Sequence, residues 1–292
     1  MFLQQLFNGF TIGSTYALVT IGFSLIFGVL RLMNFANGAI YMLGGYLSVV
    51  IFTGVVQNFW IALLGSIIIT GIVGFSIDRF ALDLLRKKEA PPLAPMITTM
   101  GISTCIENMI MVFLGSRSKP VPYGANLGFI TVGNARLGIF QVIILGIALV
   151  LMGLVSLLIY KTKIGNAMRA AAQNMAACKL MGVNVKMVIS STFLLAAVLS
   201  AIAGTIVGMY YRSVSLTMAG SMGAKTFAAA VLGGIGNIPG AIVGGLCVGI
   251  IETLGAGYVN ASYRDGIAFG ILILVLLIKP NGLFGKGVET KV

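Results

Sequence analysis

The stretch GGIGNIPGAIVGG, residues 233–245, interrupts one of the most apolar regions of the chain with six glycines, an asparagine and a proline. Glycine and proline are the residues least compatible with a helix interior, so this stretch predicts a turn within a hydrophobic segment. Such a turn frees backbone N–H and C=O groups, and at membrane depth it is tolerated only where protein buries it or where it lines a wet cavity. The stretch therefore predicts either a hairpin that serves close packing or a broken helix along a solute path.

The composition indicates an integral membrane protein. Of 292 residues, 58% are hydrophobic and 9% are charged, and the mean hydropathy is +1.04. Apolar windows of about 20 residues, enough to cross a bilayer as a helix, recur along the chain. We expect an all-α polytopic membrane protein with about eight transmembrane segments, which form a single transmembrane domain over residues 1–292. The predicted segments are 9–30, 34–55, 59–78, 93–115, 138–160 and 189–211, then a broken Gly-rich hairpin at 223–257 and a last span at 266–279.

Basic clusters predict which side of the membrane each connection faces, because lysine and arginine favour the cytoplasmic side. The polar connection 116–138 then lies outside, since one span separates it from each neighbouring cluster. By the same parity the glycine-rich region begins and ends outside, and its length is short for two full crossings. We therefore expect a hairpin or two half-helices that meet at membrane depth. The predicted cytoplasmic clusters are Arg79, Arg86, Lys87 and Lys88; Lys161, Lys163, Arg169, Lys179 and Lys186; and Lys279, Lys286 and Lys291.

Two arginines in this topology fit an inverted repeat. Arg31 ends the first predicted span and Arg212 ends the sixth, and a glycine-rich segment follows each. Arg31 faces in and Arg212 faces out, as a repeat of inverted topology requires.

Several function classes are excluded by what the sequence lacks. There is no histidine, and the three cysteines have neither disulfide nor CxxC metal spacing, so metal chemistry and Ser-His-Asp catalysis are poor fits. The net charge of +12 is spread over short loops, which fits membrane topology and not nucleic-acid binding. No G-x-x-x-x-G-K-[ST] sequence occurs, so ATP, if it is used, is bound by a partner. We expect no metal and no cofactor.

Two carboxylates lie inside predicted spans, Glu107 in ISTCIENMIM and Glu252 in GIIETLG. Ionisable groups at membrane depth are costly and mark either a paired structural group or a solute pathway. The residues alone leave both interpretations open for each carboxylate. With so few such groups, a proton-coupled carrier is poorly equipped.

The longest cytoplasmic connection, residues 161–188, predicts a helix on the membrane surface. Asn166 to Met181 is alanine-rich, and Gly182 is well placed to end the helix. The helix would expose Arg169, Gln173 and Lys179 either to a cytoplasmic partner or, as a basic interfacial helix, to anionic membrane lipid.

Four stretches, in order from about residue 4 to residue 287, resemble one family. They are FNGFTIGSTYALVTIGFSLIFGVLRLMNFANG at the start, IGNAMRAAAQNMAACKLMGVNV in the cytoplasmic loop, FAAAVLGGIGNIPGAIVGGL in the glycine-rich region, and LLIKPNGLFGK at the end. Together they are similar to LivH-type permease subunits of bacterial ABC importers for branched-chain amino acids. Related permeases for urea and short amides share single pieces.

The resemblance implies a multi-pass subunit of the bacterial cytoplasmic (inner) membrane and a set of partners. These are a second homologous permease subunit, two ABC ATPase subunits and an extracytoplasmic solute-binding protein. It also implies an ATPase-coupling loop over 161–188, with Gly165, Arg169, Ala170, Gln173, Asn174 and Gly182 as coupling residues. The implied substrate pathway contains Asn34, Asn37, Gly38, Tyr41, Gly233, Gly234, Gly236, Asn237 and Pro239. Half-helix ends and exposed backbone groups there would suit an amino acid.

One departure from the family pattern bears on the substrate. The family commonly has NFAHGE where this chain has NFANGA at 34–39, so a histidine and a carboxylate are absent. An importer of branched-chain amino acids is thus weighed against a urea or short-amide importer and against a stand-alone secondary carrier. An intramembrane enzyme lacks the necessary acid–base or metal groups.

Overall fold

The computed structural model describes residues 2–91, 93–123, 128–132, 135–260, 263–279 and 282–285. The polypeptide is helical almost throughout, as predicted, and its short strands all lie in or beside the 116–138 connection. The helices are α1 (Phe2–Leu30), α2 (Asn37–Gly54), α3 (Phe59–Ser76), α4 (Asp83–Lys87), α5 (Ala94–Leu114), α6 (Ile139–Lys161), α7 (Lys163–Gln173), α8 (Met175–Leu180), α9 (Val185–Tyr211), α10 (Thr217–Gly233), α11 (Ile238–Tyr258) and α12 (Arg264–Ile278). The strands are β1 (Lys119–Pro120), β2 (Phe129–Val132), β3 (Ala135–Gly138) and β4 (Ser213–Val214).

Seven helical runs in the described residues are long and apolar enough to cross a membrane. One of them is continuous from α3 through a π-helical segment, Ile77–Leu82, into α4. The others are α1, α2, α5, α6, α9 and α11. With 17 and 15 residues, α10 and α12 fall short of that length. The prediction of a polytopic all-α membrane protein is confirmed, and the number of crossings stays a prediction.

The glycine-rich region is a hairpin, but its arms are longer than the sequence indicated. We expected the region to begin at residue 223, whereas α10 begins at Thr217 and α11 runs to Tyr258. At 1.5 Å per residue the arms are about 26 and 32 Å long, so this is a hairpin of two long helices and not a pair of short half-helices. The break lies at Gly234–Asn237, as predicted, between helices that pack along each other.

Helix α1 is the centre of the bundle. Every residue from Thr11 to Ile26 is buried, and the helix packs against α11, α9, α10 and α6. Glycines allow this close approach. A Cβ on Gly13 would lie only 2.9 Å from Leu246 Cα, and a Cβ on Gly245 or Gly249 of α11 would lie still closer to the backbone of α1. Small residues at such contacts are the means by which membrane helices associate.

Two sets of contacts agree with the predicted sidedness. On the outer side, β1 pairs with β4, which joins the 116–138 connection to the segment that follows α9. On the other side, the hairpin turn contacts Gly28, near the end of α1. The carbonyl groups of Leu232 and Gly233, the last residues of α10, accept hydrogen bonds from the backbone of Leu283 and Phe284, which follow α12. The hairpin turn thus lies at the end of the bundle predicted to be cytoplasmic. The prediction of a turn at membrane depth is wrong, because α10 and α11 are longer than the arms expected from the sequence. Lys286 and Lys291 lie outside the described residues.

Arg31 and Arg212 have the same backbone conformation. Each follows a long helix, α1 or α9, and each is left-handed, with φ of 53° and 55°. The helices end at opposite sides of the bundle, and the inverted repeat stays a prediction.

Candidate functional site

The cytoplasmic loop forms two short helices where the sequence predicted one helix over Asn166–Met181. Asn174 interrupts it, because its side chain accepts a hydrogen bond from Ala177 N at 3.0 Å and so caps α8. Thr162 caps α7 in the same manner through Gly165 N. Gly182 has φ of +77° and follows the end of α8, which confirms the predicted stop.

The coupling residues divide into exposed and buried positions. Arg169, Ala170, Gln173 and Asn174 are exposed on one side of α7 and α8, together with Leu180 and Met181, which are 89% and 83% exposed. We call these six residues the α7–α8 face. Gly165 is buried against the backbone of Ile159, where a Cβ has no space, so it holds α7 against α6. The opposite side of these helices, with Met168, Ala171 and Cys178, packs in a cluster with the ends of α1 and α9.

The predicted pathway residues near the start of α2 are mostly held in helix contacts. Asn37 donates to Val19 O of α1 at 3.3 Å and accepts from Ser200 Oγ of α9 at 3.1 Å. Gly38 lies against the backbone of α10, and Asn34 accepts from Ala36 N. Tyr41 is the member of this group that lines a cavity.

The pathway residues predicted in the hairpin turn are only partly covered by protein: Gly233 and Gly234 are buried and Asn237 is half-buried, whereas Gly236 and Pro239 are exposed. Gly236 N donates to Ser24 Oγ at 3.1 Å, and Asn237 Nδ2 donates to Phe284 O at 3.1 Å. Gly234 and Gly236 have positive φ, and Pro239 lies in the first turn of α11. Gly233 contacts Gly240 across the two arms. The backbone groups freed by the turn are thus bound by α1 and by the segment after α12, which favours the close-packing interpretation.

A cavity of about 330 Å³ lies at the other end of α10, where α1, α2, α9 and α10 meet. Its rim includes the exposed residues Tyr211, Thr217 and Ser221, on the side predicted to be extracytoplasmic. Its volume is at the lower end of the range for small-molecule sites, roughly 300–1,000 Å³. The cavity is lined by Tyr16, Tyr41, Val207, Tyr211, Thr217, Met218, Ser221, Met222 and Lys225.

Lys225 forms a buried ion pair with Glu252 beside this cavity. Lys225 Nζ lies 2.9 Å from Glu252 Oε1, and the two residues are 7% and 0% exposed. Tyr16 joins them: its hydroxyl donates to Glu252 Oε1 at 3.1 Å, and the ammonium lies 5.5 Å from the ring centroid. Glu252 is therefore a paired carboxylate behind the cavity wall, and Lys225 is part of the wall.

Lys225 and Tyr16 were not among the residues predicted from the sequence. A single lysine within the apolar run MGAKTFAAAV is nevertheless a signal of a functional site. Nothing in the local sequence singles out Tyr16, because its role depends on contacts with residues more than 200 positions away.

Glu107 lies elsewhere, on α5. Its side chain is half-buried and accepts from Ser103 Oγ at 2.9 Å on the same helix. Its neighbours Thr104, Cys105 and Asn108 are exposed, in a helix whose apolar length predicts a membrane span. The structure therefore does not bring the two intramembrane carboxylates together. In the described residues no group of three or more His, Cys, Asp or Glu side chains could hold a metal ion.

Comparisons with known proteins agree on one family. A family model described as "Branched-chain amino acid transport system / permease component" matches residues 5–276. The chain is 37% identical to the high-affinity branched-chain amino acid transport system permease protein BraD of Pseudomonas aeruginosa and 36% identical to LivH of Escherichia coli K12, with 100% of this chain and 98% of each relative aligned. The ribose import permease protein RbsC of Bacillus subtilis is 29% identical over 64% of this chain and 59% of its own length.

One solved structure has a similar fold. A chain from PsaBC of Streptococcus pneumoniae, in complex with Fab, superposes with a TM-score of 0.52 at 16% identity. The match covers 97% of this chain and 94% of that chain. At this identity the likeness concerns the fold alone.

Proposed function

The chain belongs to the family of branched-chain amino acid transport system permease components, and from this premise we propose that it forms the membrane path of an ABC importer that carries branched-chain amino acids. It is a transport subunit, not an enzyme. Residues 1–292 act as one permease domain. An extracytoplasmic binding protein delivers the substrate, a second homologous permease completes the path, and two ATPase subunits supply the energy.

The α7–α8 face is the observation that carries this proposal. Its exposed leucine and methionine, Leu180 and Met181, lie at the cytoplasmic side of the bundle, where water would otherwise cover them. The buried side of the same helices packs against the ends of α1 and α9. A partner that binds the face and moves therefore pushes directly on the central helix of the bundle. Packed contacts of this kind can carry the coupling between ATP binding and the membrane helices.

The membrane surface of α5 supports a second integral subunit. Thr104 and Asn108 are exposed in the middle of this apolar helix, where each donates to a backbone carbonyl of the same helix and keeps an oxygen that can accept from a neighbour, and Glu107 lies beside them. Polar side chains that face hydrocarbon are costly, whereas a neighbouring helix can offer them hydrogen bonds. A second permease packed on this side of α5 would cover all three.

Two other functions are less well supported. A stand-alone secondary carrier would leave the α7–α8 face without a partner. A urea or short-amide importer would need fewer apolar surfaces around its substrate than the methionines and valine of the cavity provide. Both remain testable by the same experiment.

The experiment is purification of the tagged complex from native membranes in mild detergent, followed by reconstitution in proteoliposomes. We expect two ATPase subunits and a second permease to co-purify, and leucine uptake to require both ATP and the loaded binding protein. Uptake that persists without ATPase subunits would establish a secondary carrier instead. Uptake of urea in preference to leucine would change the substrate class.

A paired variant tests the coupling loop in the same preparation. Arg169→Ala with Gly182→Ala removes an exposed cation and strains the left-handed stop, at a cost of about 1 kcal/mol for the backbone. We expect uptake to be lost while membrane insertion and delivery by the binding protein continue. Unchanged uptake in this variant would contradict the assignment of 161–188 to ATPase coupling.

A further inference from the structure

Burying Lys225 costs desolvation free energy, which a path lined only by apolar residues would not require. It is buried at 7% exposure within an apolar helix, and removing an ammonium from water is expensive even when a carboxylate neutralises it. Apolar residues of similar volume commonly replace such pairs without loss of stability. The ion pair with Glu252 therefore calls for a reason beyond holding α10 against α11.

The position of Lys225 relative to the cavity supplies that reason. Lys225 lines the cavity, while Glu252 is fully buried behind it. The cavity thus presents its cation to an entering solute and keeps the balancing anion out of reach. A solute with a carboxylate can approach Lys225 within a wall of low polarity, where electrostatic attraction is stronger than in water.

The rest of the lining fits an aliphatic amino acid. Val207, Met218 and Met222 provide apolar surface, and methionine adapts to side chains of different shape. Tyr16, Tyr41 and Ser221 add hydroxyl groups. A carboxylate at one end and a branched aliphatic group at the other match these two kinds of surface.

We propose that the cavity between α1, α2, α9 and α10 binds the α-carboxylate of the transported amino acid through Lys225. The inference rests on the proposed function and adds a site within this subunit that the substrate occupies on its way from the binding protein. Because Glu252 already neutralises Lys225, the attraction is moderate. A substrate held in this way can leave again, as transport requires.

The test is photolabelling of the reconstituted importer with photo-leucine, the diazirine analogue of leucine, delivered by its binding protein. We expect covalent labels on Met218, Met222 or Tyr41, read by mass spectrometry. An excess of 4-methylpentanoate, which keeps the carboxylate and lacks the amine, should reduce the labelling at least fivefold. The same excess of 3-methylbutylamine, which lacks the carboxylate, should leave it within a factor of two.

Two outcomes would overturn the proposal. One is a preparation that takes up photo-leucine in an ATP-dependent manner but carries no label in the cavity. The other is labelling that the amine suppresses and the acid does not. A preparation without ATP-dependent uptake would count against the proposed function itself, so the two failures are distinguishable.

Variants separate binding from structural support. Lys225→Met with Glu252→Gln removes both charges together, so no uncompensated charge is left buried. We expect the importer to assemble in normal yield and leucine uptake to fall at least tenfold. Uptake within twofold of the original would show that the pair is only a structural link and would refute the carboxylate site.

A second variant keeps the test valid if the first fails to assemble. Ser221→Trp fills the cavity from its exposed rim without touching the ion pair, and it should abolish cavity labelling. Gly220→Trp, at an exposed neighbouring position that does not line the cavity, is the matched control and should leave labelling and uptake within twofold. Full labelling of Met218, Met222 or Tyr41 in the tryptophan variant would place the label outside the cavity and refute the site.

Discussion

Gly233 and Gly240 face each other across the hairpin so closely that a Cβ on either residue would overlap the backbone of the other. Backbone atoms cannot move aside as a side chain can. The short link Gly234–Asn237 therefore works only because both arms lack side chains at this contact.

Gly240→Ala is therefore expected to destabilise the protein. Overpacking of this kind costs about 1–3 kcal/mol, and the midpoint of thermal unfolding in detergent should fall accordingly. Gly266 and Gly270 also form a GxxxG sequence, but a Cβ at Gly270 meets nothing within 4 Å. Gly270→Ala is therefore the matched control. Equal stability of the two variants would contradict the contact.

The buried ion pair predicts a non-additive pair of mutations. Lys225→Met alone leaves Glu252 buried without its cation, which should cost about 3–5 kcal/mol. Lys225→Met with Glu252→Gln should recover most of this loss, since neither charge remains. A double-mutant cycle on thermal stability in detergent measures the coupling. If the two changes added without recovery, the two residues would not be paired as the structure has them.

Leu180→Glu together with Met181→Glu should release the ATPase subunits. The change places two carboxylates on the most exposed apolar residues of the α7–α8 face. We expect recovery of ATPase with the tagged permease to fall at least tenfold, equivalent to about 1.4 kcal/mol or more. Val55→Glu, at a valine that is 74% exposed beyond the outer end of α2, should leave recovery unchanged. If the control also lost the ATPase, the loss in the first variant would not show that the α7–α8 face binds it.

Asp78 links the cytoplasmic end of α3 to α9. Its carboxylate accepts from Arg86 Nη2 and from Ser190 Oγ, both at 2.6 Å, and the residue is 1% exposed. Asp78→Ala should cost about 3 kcal/mol of stability, because it leaves Arg86 partly buried without this partner. Lys87→Ala, which removes the more exposed partner of Asp83, should cost about 0–1 kcal/mol. The free energy of unfolding of both variants is measured by denaturation in the same detergent and compared.

Hydropathy was sufficient to predict the membrane class and most span positions, while the sidedness of the connections stays a prediction from the basic clusters. The start of α10 was missed because Thr217 to Met222 contains glycine, serine and threonine, which lower local hydropathy although the segment packs on α2. The break at Asn174 was missed because alanine-rich surroundings favour helix while the asparagine side chain caps the next one. In both places a tertiary or side-chain contact determined the structure, and the average hydropathy or helix propensity of the local sequence did not predict it.

The candidate site was less predictable than the fold. Of the pathway residues chosen from the family resemblance, Tyr41 lines the cavity, whereas Asn37 and Gly38 hold helices together. Lys225 and Glu252 are 27 positions apart and meet only because the hairpin brings α10 beside α11. Charge pairing across a hairpin depends on which faces the two helices turn to each other, and no single-helix pattern gives that.

The exposed polar side chains of α5 predict where the second permease binds. Thr104→Leu with Asn108→Leu removes two groups that can hydrogen-bond to a neighbouring helix, each worth about 1 kcal/mol in a membrane. We expect recovery of the second permease to fall about tenfold while the ATPase that binds this subunit is retained. Phe113→Leu, at an exposed apolar residue of the same helix, is the control and should change neither. If the double variant instead keeps its permease partner and becomes more stable in lipid, α5 faces the bilayer and the second subunit binds another side of the bundle.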